Sequence, residues 1–375
     1  KDYDESLNFI EFKDQNRKKH HLYSWDYLNT SRGRLLAKDL RLEDVIDDAS
    51  FSDDKITVTK IIERSVAPEI ALCNIGGIIV SNITDDEDYY ENSYRVLKLI
   101  RYGILNSTYV FKNLETSAKA RMNAGVGIVG LAHLMAKKGL SYASQEGKNY
   151  IHAVAETHYW HLVNASLELS KEYGVAKWMY KTKWPEGWTP LSTYNKNVDE
   201  LVTVENKRDW KGLSLKIIAN GGIMNSVLVS HMPAESSSIS GATTNGIYPI
   251  RNLYLNKTNE TMSVNYVVPD STRLKNKYES AWNVPTNDLI DDYCIIQKWT
   301  DQAISADGYR KIQGDDKVTS SEMLGGYFRR YRYGNKQKYY QNSLTTKGID
   351  LNASENLEEE THDDQGACGS GGCSL

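Results

Sequence analysis

The sequence predicts an α/β fold, because segments with helical and strand-like hydrophobic patterns alternate along most of its 375 residues. Residues 69–80 form an apolar run typical of a buried strand, and residues 150–173 carry apolar side chains at the spacing of one helix face. Apolar residues make up 40% of the chain, an ordinary value for a globular protein. A chain of this length buries most of its apolar surface without disulfides.

Charge and hydropathy exclude several classes of protein. The formal net charge is −4, from 45 Lys and Arg against 49 Asp and Glu, which offers no basic field for nucleic acid. No apolar run is long enough to predict a membrane span, and the first residues do not resemble a signal or transit peptide. We therefore expect a cytoplasmic protein with reduced cysteines.

Three parts of the chain differ in composition. Residues 1–60 are highly charged with few periodic apolar runs, and we expect an N-terminal extension there. Residues 61–342 carry the alternating helical and strand-like patterns. Residues 343–375 are acidic and polar, which is typical of a disordered tail. We therefore predict an extension, one α/β body and a flexible tail.

Local patterns predict the elements of the body. Glycine after a periodic segment predicts that helices end at Gly139 and Gly221, and Gly76-Gly77 is expected to break the first strand. Helices are predicted over 89–105, 150–173, 213–220, 290–304 and 319–333. The segment 123–138 begins with small residues and is predicted to become helical. Residues 182–208 are predicted to form a loop, and residues 226–249 a strand followed by a loop and a turn. Strand-like alternation is predicted over 254–268, interrupted by a turn at 256–258. A short strand is predicted over 338–341.

The four cysteines form two groups. Cys73 and Cys294 lie in apolar runs, where we expect small buried side chains. Cys368 and Cys373 lie in a tail of Gly and Ser that cannot build a core, so packing does not explain them. Two thiols this close on a flexible chain predict reversible dithiol chemistry. Zinc binding with His362 as a third ligand is the alternative, although the spacing fits a structural zinc site poorly.

A hydroxyl-rich loop follows the strand-like residues 227–229. Its sequence, Ser230-His-Met-Pro-Ala-Glu-Ser-Ser-Ser-Ile239, offers backbone N–H groups and Ser hydroxyls to an anion. A helix N-cap explains the same composition equally well. The residues alone leave both readings open.

A glycine motif, Gly125-Val-Gly-Ile-Val-Gly130, fits the pattern of dinucleotide-binding folds. Such a fold needs a strand before the motif and an acidic residue at the end of the next strand, but residues 119–123 are charged and the following residues are helical. We expect close backbone packing at the start of a helix. A nicotinamide-dependent dehydrogenase is the alternative.

Adjacent tyrosines, Tyr339 and Tyr340, occur near the end of the predicted body. In a chain with 25 Tyr such a pair is usually structural. Stacked phenols also pass a proton and an electron together, so a redox role stays open.

These motifs occur in an order that resembles the large (α) subunit of class I ribonucleotide reductase. The resemblance covers roughly residues 65–375 and implies an α/β fold that is the C-terminal half of the family's ten-stranded α/β barrel, with a flexible tail. It implies reduction of ribonucleoside diphosphates to deoxyribonucleoside diphosphates by a radical mechanism. The matching segments are 68–77, 225–238, 244–247, 267–270, 297–305, 338–342 and the C-terminal Cys-x-x-x-x-Cys.

The resemblance also implies residue roles. Cys73 would be one half of the dithiol that reduces the ribose 2′ position and becomes a disulfide. Tyr339 and Tyr340 would relay a radical from a metal-bearing small (β) subunit. Cys368 and Cys373 would re-reduce the active-site disulfide and exchange with thioredoxin or glutaredoxin. The substrate diphosphate would bind to a loop made of Pro233, Ala234, Glu235, Ser236 and Ser237.

One family motif has no counterpart. The radical-bearing cysteine of the family lies in an Asn-x-Cys-x-Glu pattern, which does not occur in this sequence, and the redox partner of Cys73 is also absent. We therefore expect an enzyme that is inactive without an N-terminal large-subunit polypeptide and the small subunit.

The resemblance to this family also implies which cofactors and partners to expect. We expect no metal or other cofactor on this chain, because the metal-radical cofactor belongs to the small subunit and nucleotide effectors bind the N-terminal part. A non-catalytic nucleotide-binding protein with a redox- or zinc-switched cysteine tail is the alternative function.

Overall fold

The computed structural model describes residues 8–23, 27–36, 40, 43–46, 55–66, 69–258, 263–312, 318–345 and 359–361. The chain divides into two compact units. The first comprises residues 1–72 and 104–122, and the second comprises residues 73–103 and 123–375. The predicted site residues that the structure describes all belong to the second unit.

Short strands build the first unit, which also contains the helix α2 (Lys112–Arg121). One antiparallel sheet has the order β2-β1-β7, and another has the order β4-β3-β5-β6. Antiparallel strands tolerate a polar face, so the charged composition of residues 1–60 does not prevent them from forming. The strands are β1 (Asn8–Lys13), β2 (Lys19–Tyr23), β3 (Tyr27–Thr30), β4 (Gly33–Leu36), β5 (Val45–Ile46), β6 (Ile56–Thr57) and β7 (Lys60–Val66).

Parallel strands form the central sheet of the second unit. β8 (Asn74–Ile79) pairs in parallel with β9 (Ala124–Val129) along its full length. The 227–231 segment lies on the other side of β9, where Val227 O accepts a hydrogen bond from Ala124 N at 3.0 Å. All six residues of β9 are buried, as expected for a parallel strand with neighbours on both edges.

Two more segments extend this sheet. The 302–306 segment runs parallel to 227–231, and Ser305 N donates to His231 O at 2.9 Å. It leads into β12 (Gly308–Ile312), which pairs in parallel with β13 (Gln341–Thr345). The α/β class is therefore confirmed. These five neighbouring segments form no closed barrel within the part of the chain that the structure describes.

Helices connect the successive parallel segments, as such connections require. The long helix α4 packs against α8, and α8 packs against α9. A hairpin of β10 (Tyr254–Thr258) and β11 (Ser263–Val267) lies beside β14 (Glu359–Thr361). The helices are α1 (Asp86–Asn106), α3 (Leu131–Lys138), α4 (Gln145–Tyr173), α5 (Trp210–Asn220), α6 (Glu235–Ser240), α7 (Ser271–Leu274), α8 (Thr286–Lys298) and α9 (Ser320–Tyr333). Among the residues described, no helix has the length and apolar character needed to cross a membrane.

The helices with clear end signals are confirmed. Gly139 and Gly221 end α3 and α5 with positive φ values of 66° and 76°, which favour glycine. Thr319 and Glu322 form a reciprocal capping box at the start of α9. Each of these signals acts within one helical turn, so the sequence alone is sufficient to locate them.

Four predictions about elements are wrong. Gly76 and Gly77 lie inside β8 without breaking it. Residues 124–129 form a strand before α3, so Gly125 and Gly127 of the dinucleotide-like motif lie within a strand, and only Gly130 lies at the start of a helix, as the N-cap of α3. The helix predicted over 290–304 ends at Lys298, and the turn predicted at 256–258 lies in β10. In three of the four cases, pairing with a distant part of the chain overrides the local pattern.

Candidate active site

Cys73 lies immediately before β8 and is only half-buried. The Gln302 side-chain amide donates to its sulfur over 3.4 Å between Nε2 and Sγ, and Ser230 Oγ lies 3.9 Å from the same sulfur. Gln302 Nε2 also donates to Ala124 O at 3.0 Å, which fixes the direction of the amide. Two neighbouring strand segments thus supply polar contacts to this thiol.

Gly125 provides the space that the thiol occupies. A Cβ atom at this position would overlap both Cys73 Sγ and Ser230 Oγ. At Gly127, a Cβ atom would approach Met232 Sδ to 2.8 Å. The two glycines therefore allow close packing inside the sheet, as predicted for this motif, but they do so from within a strand. This use of the glycines contradicts the dinucleotide-binding alternative.

The hydroxyl-rich loop begins directly after the 227–231 segment. Asn245 Oδ1 accepts a hydrogen bond from Ala234 N at 2.6 Å, which holds the loop at the start of α6. Ser236 and Ser237 are exposed in the first turn of α6. No side-chain hydrogen bond caps this helix, so the capping reading of the loop is not met, and the anion-binding reading stays a prediction.

A cleft opens beside this loop. Glu235 of the predicted site residues lines it, together with Arg251 and three tyrosines. Cys73, Tyr339 and Tyr340 are not among its lining residues. The full lining is Glu235, Ser238, Ile239, Thr244, Asn245, Tyr248, Pro249, Ile250, Arg251, Asn252, Leu255, Tyr266, Val268 and Tyr309.

Tyr339 and Tyr340 join the sheet through their backbones. Tyr339 N donates to Ala306 O at 3.1 Å, and Tyr340 O accepts from Gly308 N at 2.8 Å. The two phenol oxygens lie 3.4 Å apart and the ring centroids 4.1 Å apart. This contact is close enough for the phenols to exchange a proton and an electron.

The 302–306 segment links the thiol and the tyrosine pair. Gln302 contacts Cys73, whereas Ala306 of the same segment pairs with Tyr339. Four residues of chain span at most about 14 Å. The next residue, Asp307, accepts from Tyr340 N at 3.2 Å, and burial raises the pKa of its carboxyl to about 6.

The remaining cysteines differ from Cys73. Cys294 is 1% exposed in α8, and burial raises the pKa of its thiol to about 12, so the expectation of a buried small side chain is met there. Cys368 and Cys373 lie outside the described residues. Among the residues that are described, no group of three or more His, Cys, Asp or Glu side chains is arranged to hold a metal ion.

Sequence reasoning missed two contributors to this site. Ser230 belongs to the predicted anion loop, but its hydroxyl faces the thiol. Gln302 belongs to a motif recognised in the sequence, yet the predicted helix over 290–304 hid its orientation toward Cys73. The small residues of Gly125-Val-Gly127 were the available signal, because a strand with no side chain at alternate positions leaves room for a neighbour's.

Comparison with protein families assigns most of this chain to one family. The family described as the ribonucleotide reductase barrel domain matches residues 49–341, a match that begins within the predicted N-terminal extension. The chain therefore belongs to the ribonucleotide reductase family.

Individual relatives give the same result. The ribonucleoside-diphosphate reductase subunit alpha of Buchnera aphidicola subsp. Baizongia pistaciae is 32% identical over 310 residues, covering 82% of this chain and 40% of that protein. The subunit alpha of reductase 1 from Escherichia coli is 34% identical over 272 residues, or 71% of this chain and 35% of that protein. The subunit alpha from Enterobacteria phage T4 is 30% identical over 309 residues, which cover 80% of this chain and 40% of that protein. The chain thus spans well under half the length of these relatives.

Proposed function

We propose that this chain is the C-terminal part of a ribonucleoside-diphosphate reductase large subunit and reduces ribonucleoside diphosphates by a radical mechanism. The observation that carries the proposal is the position of Cys73. Its sulfur contacts Ser230, three residues before the Pro233 loop, and Gln302, whose strand reaches Tyr339. One sheet therefore supports a thiol, an anion loop and a phenol pair.

Cys73 acts as one of two thiols in the proposed reaction. The ribose 2′ hydroxyl leaves as water, and the two thiols supply two electrons as they become a disulfide. The Gln302 amide holds the sulfur in position throughout this step. Cys368 and Cys373 then exchange with the disulfide, and thioredoxin or glutaredoxin reduces the tail in turn.

The substrate diphosphate binds to the loop of Pro233, Ala234, Glu235, Ser236 and Ser237 in this proposal. Exposed hydroxyls and the first N–H groups of α6 suit an anion, since those N–H groups have no partner within the helix. Arg251 in the adjoining cleft adds a positive charge. Tyr339 and Tyr340 carry the radical between the small subunit and the site.

An N-terminal large-subunit polypeptide completes the enzyme. The chain matches only 35–40% of the length of its relatives, and Asn-x-Cys-x-Glu does not occur in its sequence. The sheet also supports this partnership, because β8 is paired with β9 alone among the described strands and an open strand edge is a ready pairing surface. The metal-radical cofactor belongs to the small subunit, and nucleotide effectors bind the N-terminal polypeptide.

Reconstitution tests this function. The chain is mixed with the N-terminal polypeptide, the small subunit, a ribonucleoside diphosphate and a dithiol reductant, and the deoxyribonucleotide is measured by chromatography. We expect product from the complete mixture and none when the N-terminal polypeptide is omitted. Product without that polypeptide would reject the shared active site. A complete mixture that binds the diphosphate but never reduces it would favour the non-catalytic nucleotide-binding alternative.

A further inference from the structure

A lysine binds the backbone of the connection, residues 299–302, that leads from the end of α8 to Gln302. The Lys336 ammonium donates to Asp301 O at 2.7 Å, to Gln302 O at 3.3 Å and to Thr300 O at 3.4 Å. A lysine ammonium has three N–H donors, so this one group can bind all three consecutive carbonyls. The contact fixes the backbone of the residue whose side chain reaches the thiol.

Lys336 belongs to the tyrosine segment, residues 335–340, which follows α9. Its backbone N–H donates to Gln297 Oε1 at 3.3 Å, and the side-chain amide of Gln297 donates to Gln302 O at 2.8 Å. The backbone and the side chain of Lys336 therefore both attach the tyrosine segment to the connection. Tyr339 lies only three residues further along the same segment.

The other side of the connection is anchored to the sheet and to the thiol. The Asp301 carboxylate accepts a hydrogen bond from Leu228 N at 2.7 Å. The Gln302 amide donates to Cys73 Sγ, with 3.4 Å between Nε2 and Sγ. The connection is thus held between the Cys73 site on one side and Lys336 on the other.

Stabilisation of α8 alone does not account for the position of this ammonium. A cation near a helix C-terminus stabilises the helix through the partial negative charge of its last carbonyls. The shortest contact of Lys336 is with Asp301 O, however, three residues past the last residue of α8. The ammonium therefore holds the connection more closely than it holds the helix.

We propose that Lys336 is a positioning residue that keeps the Gln302 amide on the Cys73 sulfur and keeps the thiol aligned with the tyrosine segment. Without the ammonium, three carbonyls lose a donor and the connection shifts. The Gln302 amide then leaves the sulfur. Only the alignment with Tyr339 and Tyr340 rests on the proposed radical function, because the contact between amide and sulfur exists in the chain itself.

Alkylation of the chain alone by iodoacetamide tests this role. A hydrogen-bond donor to sulfur stabilises the thiolate, which is the form that reacts. We expect Lys336→Met to slow alkylation of Cys73 severalfold, as measured by peptide mapping with mass spectrometry. Lys336→Arg keeps a cation with several N–H donors and is expected to restore most of the rate. An unchanged rate in Lys336→Met would overturn the proposal.

Lys338 offers a matched control in the same segment. Its ammonium lies over the Tyr327 ring of α9, 5.7 Å from the centroid. We expect Lys338→Met to leave the alkylation of Cys73 unchanged. Equal slowing in Lys338→Met and Lys336→Met would assign the effect to the loss of any nearby positive charge, and that result would contradict positioning by Lys336.

A double-mutant cycle distinguishes positioning from a general structural role. Gln302→Leu removes the amide that contacts Cys73 Sγ, so Lys336→Met should have no further effect on alkylation in that background. Slowing that multiplies in the double variant would show that Lys336 acts independently of the amide, and would reject the proposal. Near-ultraviolet circular dichroism verifies folding. If Lys336→Met does not fold, Lys336→Gln replaces it in the cycle with the same expected direction.

The reconstituted enzyme gives a second readout. Lys336→Met is expected to lower kcat by about tenfold, because small displacements of reacting groups are costly. The KM for the ribonucleoside diphosphate should stay unchanged, since Lys336 binds the connection and not the Pro233 loop. A higher KM at constant kcat would contradict the proposal. The alkylation experiments need no nucleotide reduction, so a failure of the proposed function would leave their result intact.

Discussion

Cys73 and Cys294 belong to the same unit and both lie in apolar sequence runs, yet the fold gives them opposite surroundings. Cys73 is half-buried at the start of a strand and has an amide and a hydroxyl as neighbours. Cys294 lies on α8 with its side chain buried, and burial raises the pKa of its thiol to about 12. The difference shows that the pairing of strands, and not the local apolar sequence, makes one thiol accessible to chemistry and the other a packing residue.

Replacing each cysteine in turn is expected to give the largest difference between the reactive thiol and the packing thiol. In the reconstituted enzyme, Cys73→Ser is expected to lower nucleotide reduction by about a thousandfold or more, because serine cannot form the disulfide. Cys294→Ala is expected to leave turnover close to wild type and to cost about 1 kcal/mol of unfolding free energy. Steady-state rates and urea unfolding measure the two effects. Near-normal turnover in Cys73→Ser would remove the thiol from the mechanism.

Thiol modification should sharpen the same contrast without any partner protein. Iodoacetamide is expected to alkylate Cys73 at least about a hundredfold faster than Cys294 near neutral pH, because only the thiolate reacts and burial suppresses it at Cys294. Peptide mapping by mass spectrometry resolves each cysteine. Unfolding in urea should equalise the two rates, and similar rates in the native chain would show that their surroundings do not differ.

Gly125 tests whether the close packing around Cys73 is required. Gly125→Ala is expected to lower the unfolding free energy by up to about 3 kcal/mol, because the new methyl group overlaps Cys73 Sγ and Ser230 Oγ. Gly103→Ala is the matched control, since Gly103 lies in α1 with open space at its Cβ position. There alanine should stabilise the chain by up to about 1 kcal/mol. Equal effects of the two changes in urea unfolding would contradict the packing argument.

Asp307, which contacts the backbone of Tyr340, is a second group whose surroundings change its chemistry. Its folded-state pKa, about 6, lies above its ordinary value of 3.8. The folded protein therefore binds the proton more tightly than the unfolded chain, so this residue's contribution is fully present below pH 3.8 and is lost as pH rises through 6. The shift is about two pKa units, so the loss amounts to about 3 kcal/mol.

Asp307→Asn should remove that part of the pH dependence. The asparagine oxygen can still accept the Tyr340 N–H, so the hydrogen bond is retained while the titration disappears. Urea unfolding between pH 4 and pH 7 compares the two chains. A slope that persists unchanged in the variant would assign the pH dependence to another group.

The sequence by itself determined the elements whose signals are local. Gly139 and Gly221 end their helices, and the Thr319–Glu322 capping box begins α9, because each involves groups within one turn of the same helix. The order of motifs around Cys73, Pro233 and Tyr339-Tyr340 also predicted the family, which the comparisons confirm.

Only the tertiary structure decided which segments are strands in the sheet and which side chains meet the thiol. Residues 302–306 lie beside residues 227–231, about seventy positions away in the chain, through a parallel bridge and backbone hydrogen bonds, and this pairing turns Gln302 toward Cys73. Glycine is likewise required in β9 because Cys73 and Ser230 approach it closely from other segments of the chain. Hydrogen bonds between strands join residues far apart in sequence, so no local pattern encodes their partners or the site that they assemble.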